Sequence, residues 1–156
     1  GNRLGSASTL KVLTNYLASI NLVALGEVLM ISKKYNINLK SAYEAIRVSS
    51  GNSFVHTSES QLILSRSMNA QFTMNLICKD LTLVDKLRKK FKIPSKFIPL
   101  LLNYFLEGKK KLGNKEYSTA IVKLLEDKCK SKLYHKSFPK ILIDKEKKRK
   151  GFEVKI

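Results

Sequence analysis

This chain of 156 residues predicts an all-α fold, a multi-helix bundle around one long central helix. Three observations carry that expectation. Apolar residues recur at three-and-four spacing over most of the chain. One such stretch runs from Ser8 to Lys34 without a helix-breaking proline. No segment before residue 130 alternates as a half-buried strand does.

In the first helix Leu10, Leu13, Leu17, Ile20, Ala24, Val28 and Ile31 mark one face, and Val12, Tyr16, Val23 and Met30 a second strip. A helix apolar on most sides belongs in the middle of a bundle, and this one would be about 40 Å long at 1.5 Å per residue. Ser6 or Ser8 can cap its start, Lys33 and Lys34 suit its C-terminal dipole, and Asn36 and Asn38 mark the exit. A second helix fits Leu39–Val48, with Asn38 as N-cap and Leu39, Ala42, Tyr43 and Ile46 inward. Residues 49–53 form a turn in which Gly51 is free to be left-handed, and a third helix covers Ser53–Ser65. After a loop, a fourth runs from Phe72 to Phe91 with Leu76, Ile77, Leu81, Val84, Leu87 and Phe91 buried. Pro94 ends it, and a fifth spans Ile98–Lys111 with Pro99 in its first turn, where proline is tolerated. A sixth covers Tyr117–Lys128. Residues 1–130 thus form one helical domain, and 131–156, with the run Lys145–Lys150, a loosely packed basic tail in which Ile141-Leu142-Ile143 could make a short strand or turn.

The net charge is +18, from 30 Lys+Arg against 12 Asp+Glu. Such an excess suits polyanion binding, but lysine outnumbers arginine and is scattered, so the charge reads mainly as a solvated surface and nucleic acid ranks last among partners. No uninterrupted apolar run is long enough for a membrane span, and no membrane partner is expected. Cys78 and Cys129 lack metal-ligand spacing with His56 and His135, so no metal site is expected and reduced thiols point to a cytoplasmic or organellar compartment. Cys78 is expected to pack as a small apolar residue, and His56 to lie on a surface or in a loop. The chain opens on Gly rather than Met and shows no signal peptide, which suggests an upstream part.

The most informative pair is Lys11 and Asn15, which four-residue spacing stacks on one helix face. Two readings are open. Lys11 can snorkel to solvent at the helix start, or a helix that is largely buried keeps it for proton transfer.

The series Gly5-Ser6-Ala7-Ser8-Thr9-Leu10-Lys11, Asn15, Ser50-Gly51-Asn52-Ser53, Lys79-Asp80-Leu81 and Tyr117-Ser118 resembles the C-terminal domain of the β-hydroxyacid dehydrogenase family. That family includes 3-hydroxyisobutyrate and L-threonate dehydrogenases and is distantly related to 6-phosphogluconate dehydrogenase. The resemblance covers about residues 4–128 and implies a 6-phosphogluconate dehydrogenase C-terminal-like fold. It implies a catalytic role for Lys11, substrate contact for Asn15, Gly51, Asn52 and Ser53, and cofactor contact for Lys79 and Phe72. Without it, Lys79 reads as an exposed lysine paired with Asp80 or Asp85. Ala7 stands where the family commonly has a second glycine, and Thr14-Asn15 replaces its usual Asn-Asn pair.

The resemblance further implies a small hydroxyacid substrate, NAD or NADP in the full-length enzyme, and a dimer or tetramer. The dinucleotide-binding half of the family carries a Gly-x-Gly-x-x-Gly turn, which this sequence lacks. No cofactor is therefore expected on this chain alone, and the isolated chain is expected to be inactive. A base working at neutral pH must be weaker than free lysine, whose pKa is about 10.4, so a partly dry cleft near a helix N-terminus is expected around Lys11. The rival class is a non-catalytic helical dimerisation module, followed by a basic nucleic-acid-binding domain.

Overall fold

The computed structural model describes residues 4–142. Within them lie six α-helices: α1 (Ser6–Lys34), α2 (Leu39–Arg47), α3 (Phe54–Leu64), α4 (Met74–Lys90), α5 (Phe97–Leu112) and α6 (Val122–Cys129), the last entered through a 3-10 turn over Ser118–Ile121. Among the described residues there is no strand, only a lone antiparallel bridge between Thr73 and Tyr117. The fold is all-α, as expected, with element boundaries within two residues of the expected ones except at the start of α6, where the 3-10 turn over Ser118–Ile121 precedes the helix.

Local chemistry explains the starts. The side chains of Asn38, Ser53 and Thr73 accept backbone N–H groups at the heads of α2, α3 and α4, each worth about 1 kcal/mol. Helix α1 departs from expectation: neither Ser6 nor Ser8 caps it. Gly5 does, in the left-handed region at φ 88°, where a side chain would be strained. At the other end Asn36 is left-handed, and Lys33 and Lys34 donate to the carbonyls of Lys132 and Cys129.

Helix α1 has 29 residues and is about 44 Å long. It touches α2, α3, α4, α5 and α6, so it is the central rod of the bundle. By length and composition alone it could also cross a bilayer, with an 18-residue window of mean hydropathy 1.4.

Its orientation overturns the expected burial. The face of Leu10, Leu13, Leu17, Val28 and Ile31 is exposed, and Ala24 with it. Val12, Ser19, Leu22, Leu25, Gly26, Leu29 and Met30 point inward instead. Both faces satisfy the helical period, but only the second carries the small residues that let neighbours approach. A Cβ added at Gly26 would sit 3.0 Å from Val122 Cγ1 of α6. On α4, likewise, Leu76 and Phe91 are exposed while Cys78, Asp80 and Asp85 are buried among the apolar positions.

Two further expectations are corrected. His56 is fully buried rather than on a surface or in a loop: its Nε2 lies 2.9 Å from the Tyr43 carbonyl and its Nδ1 2.9 Å from Ser60 Oγ. Burial pushes its pKa down, against the opposing hydrogen bond to Tyr43. Residues 131–138, read as the start of a loose tail, dock on the body. Leu133 is fully buried, its N–H donates to Glu126, His135 N donates to the Leu64 carbonyl, and Phe138 meets Tyr43 edge-on. The Lys145–Lys150 run lies outside the described residues.

Candidate functional site

Lys11 sits in the second turn of α1 and Asn15 one turn later, so both reach the flank of α4 against which α1 packs. There Asp80 waits with its carboxylate almost wholly withdrawn from water. Lys11 Nζ donates to Asp80 Oδ2 at 2.6 Å, and Asn15 Nδ2 donates to the same oxygen at 2.7 Å. Lys79 Nζ lies 3.8 Å from the other oxygen, Oδ1. The Lys11 ammonium also stands 6.0 Å from the centroid of the Phe72 ring, within cation–π range. Two cations, an amide and an aromatic face thus gather around one buried carboxylate.

The packing beneath is apolar. Val12, Val84 and Ile98 form a small cluster, with Tyr16 and Leu87 against it, that joins α1, α4 and α5 next to this group. It fixes the α1–α4 register and so brings residues more than sixty positions apart within hydrogen-bond reach. Burial alone would raise the Asp80 carboxyl. The hydrogen bonds from Lys11 and Asn15 and the charges of Lys11 and Lys79 outweigh it and hold the pKa below the ordinary carboxylate value.

The group lies open. The Lys11 side chain is 54% exposed and that of Lys79 60%, against 3% for Asp80. The partly dry cleft expected around Lys11 is therefore not formed by the described residues; what holds the amine is the carboxylate beneath it. Two hollows of about 600 and 510 Å³ lie elsewhere, the first around Arg66, Glu126 and Lys132 and the second between the end of α1 and α6, and neither is lined by Lys11, Asn15, Lys79 or Asp80.

Gly51, Asn52 and Ser53 form a separate turn. Gly51 N–H donates to Ser49 Oγ, Asn52 N–H to the Ser49 carbonyl, and Ser53 caps α3 by accepting from His56 N–H. Gly51 does not use the left-handed conformation open to it. Among the described residues no hydrogen bond or ion pair links this turn to Lys11, Lys79 or Asp80. The fold thus brings Lys11, Asn15, Lys79 and Phe72 together, and among the described residues the Gly51 turn bonds only within its own neighbourhood.

Asp80 is the residue that sequence reasoning missed. It stood in view within Lys79-Asp80-Leu81, but only as a local partner for Lys79. Its signal was position: three residues after Ile77 and one before Leu81, it falls on the buried face of α4. A carboxylate there requires partners from another helix. The described residues contain no cluster of His, Cys, Asp and Glu able to hold a metal.

For a nicotinamide cofactor, the fit rests on donors. The exposed ammoniums of Lys79 and Lys11 can meet an anionic or carbonyl edge approaching the open face, whereas the chain has no glycine turn for a pyrophosphate.

Comparison with known proteins bears on this group. A family model described as the NAD-binding domain of NADP-dependent 3-hydroxyisobutyrate dehydrogenase matches residues 5–125. L-threonate dehydrogenase of Haemophilus influenzae is 23% identical over 124 residues, 80% of this chain and 41% of the relative. The enzyme of that name from Escherichia coli K12 is also 23% identical over the same span. The chain therefore spans about two fifths of the curated relatives it matches. Among solved structures, 3-hydroxyisobutyrate dehydrogenase of Salmonella typhimurium superposes with a TM-score of 0.71 at 24% identity, over 77% of this chain and 42% of that one. The Mycobacterium tuberculosis enzyme, solved with L-serine, gives 0.71 at 15% identity, over 78% and 44%. These likenesses establish the fold, and the family match over residues 5–125 establishes kinship: the chain belongs to the 3-hydroxyisobutyrate dehydrogenase family, in its NAD-binding helical domain.

Proposed function

We propose that this chain is the helical portion of an NAD(P)-dependent β-hydroxyacid dehydrogenase, with Lys11 as the group that moves the proton on the substrate oxygen. The observation that supports this reading best is the joint hold of Asp80 on Lys11 and Asn15. A nicotinamide, when bound, supplies the hydride acceptor or donor. The chain's own residues do the rest. Lys11 takes the hydroxyl proton as an alcohol is oxidised and returns it as a carbonyl is reduced. Asn15 keeps a neutral carboxamide beside the amine, where it can also meet a substrate hydroxyl. Asp80 anchors the pair in the productive direction. Lys79, and Phe72, whose ring centroid stands 6.0 Å from the Lys11 amine, would meet the cofactor. The Gly51-Asn52-Ser53 turn, ahead of α3, is read as a further substrate contact.

The test fuses the chain behind the dinucleotide-binding half of the Haemophilus influenzae L-threonate dehydrogenase and follows NAD(P)H formation with L-threonate and 3-hydroxyisobutyrate. Turnover is expected with at least one of them. Lys11→Ala should lower kcat by roughly a hundredfold or more and leave the helical circular dichroism unchanged. Near-normal kcat in that variant would remove Lys11 from the mechanism.

A second reading, self-association, is favoured by the bare face of α1. Leu10, Leu13, Leu17, Val28 and Ile31 are all large, apolar and exposed. Leu10 and Ile31, Leu13 and Val28, and Leu17 and Ala24 lie symmetrically about the Ile20–Asn21 bond. Two antiparallel copies would therefore cover the stripe with itself, as a two-fold interface requires. Sedimentation equilibrium of the chain should give a dimer that Leu13→Lys dissociates; a monomer at high micromolar concentration would rule this out.

A further inference from the structure

The turn between α4 and α5 carries a second exposed apolar patch, and its charge distinguishes it from the α1 stripe. Phe91, Ile93, Phe97 and Leu100 are all more than half exposed. Phe97 and Leu100, three apart, share one face at the start of α5. Lys86, Arg88, Lys89, Lys90, Lys92 and Lys96 lie within the same stretch of sequence. The nearest acid, Asp85, is taken by Arg88 and Lys89. Lys86, Lys90, Lys92 and Lys96 are exposed and form no ion pair among the described residues.

The turn is built rigidly. Phe91 N–H donates to the Leu87 carbonyl, Lys92 N–H to Lys89, Ile93 N–H to Arg88 and Ser95 N–H to Ile93, with Lys92 left-handed. Lys90 Nζ lies 5.6 Å from the Phe91 ring centroid. The apolar residues and the lysines of the turn are therefore carried by one hydrogen-bonded connection between α4 and α5.

The charge selects the occupant. A second copy docking here would set one group of lysines against another. An anionic partner is complementary instead. Phe91 and Phe97 could stack on bases, but Ile93 and Leu100 are aliphatic, lysine outnumbers arginine, and the one arginine of the stretch is bound to Asp85, which favours a lipid surface over nucleic acid. Exposed aliphatic and aromatic tips in the same stretch as exposed lysines, unpaired among the described residues, match the boundary of an anionic bilayer, with lysines at the headgroups and Phe91 and Phe97 in the acyl region. We infer that the α4–α5 turn is a docking surface for anionic lipid membranes, through Phe91, Ile93, Phe97 and Leu100 and the lysines of the same stretch.

The test is co-sedimentation of the full chain with phosphatidylcholine vesicles, with and without phosphatidylserine, at one fixed salt concentration. Binding should require phosphatidylserine. Lys90→Gln/Lys92→Gln/Lys96→Gln should weaken it by at least about tenfold, and so should Phe91→Ser/Phe97→Ser. All five residues are exposed, so circular dichroism should be unchanged. The control is Lys110→Gln/Lys111→Gln/Lys115→Gln, which removes the same charge at the far end of α5. It should bind within about twofold of the parent, the scatter that generic polycation attraction would exceed. Equal losses in the control, an unaffected Phe91/Phe97 variant, or no binding to either vesicle would each overturn the proposal. So would tighter binding to a single-stranded RNA of mixed sequence that the same two variants abolish, since that would make the surface a nucleic-acid site.

Discussion

Glu59, on α3, has one carboxylate oxygen, Oε2, that is buried without a hydrogen-bond partner. Burial pushes its pKa from 4.5 up to about 7. No neighbouring charge contributes, so desolvation acts alone. The folded chain then keeps a proton that the unfolded chain releases. Stability due to this group is complete below pH 4.5 and is lost as pH rises through about 7. The shift spans about 2.5 pH units, and at 1.36 kcal/mol per unit that amounts to about 3 kcal/mol. Glu59→Gln removes the titration while keeping the shape, so it should gain on the parent by that order between pH 5 and pH 8. The parent's own profile will not show this cleanly. His56, whose pKa is lowered, contributes stability that is present above 6.5 and lost as pH falls. The two opposing slopes overlap, but His56 is common to both proteins and cancels in the difference. Urea unfolding followed by circular dichroism at a series of pH values measures that difference. Parallel profiles for the two proteins would refute the assignment of a neutral, buried Glu59.

Two other outcomes follow from the packing. A double-mutant cycle with Lys11→Met and Asp80→Asn should give a coupling energy of about 1–2 kcal/mol; Asp80 is buried, but the half-exposed Lys11 limits the value. Urea midpoints of the four proteins give the coupling, and additivity within about 0.3 kcal/mol would mean the pair does not hold. Gly108→Ala should cost about 1–3 kcal/mol, because its Cβ would stand 2.5 Å from Ile121 Cδ1, whose fully buried side chain must shift within a packed core to make room; a thermal midpoint equal to the parent's would show that the α5–3-10 contact is loose.

Much of the architecture was legible because helix signals are local. Period, caps and breakers act within a few residues, so the Asn38 cap and the stop at Pro94 could be read from the chain itself. The same locality explains the errors. A helix apolar on two sides has two candidate inner faces, and α1 chose the one where Gly26 admits Val122 of α6. His56 looked like a polar residue to be solvated, yet the Tyr43 carbonyl and Ser60 make its burial affordable. Both depend on partners remote in sequence.

The candidate site divides along the same line. The sequence by itself determined that Lys11 and Asn15 share a helix face, because four residues make one turn, and that Lys79 precedes a carboxylate. Only the tertiary structure decided that Asp80, on another helix, holds both Lys11 and Asn15. A buried carboxylate must find its donors across the α1–α4 interface, and the Val12, Val84 and Ile98 contact sets the register there. No pattern within either helix encodes that register.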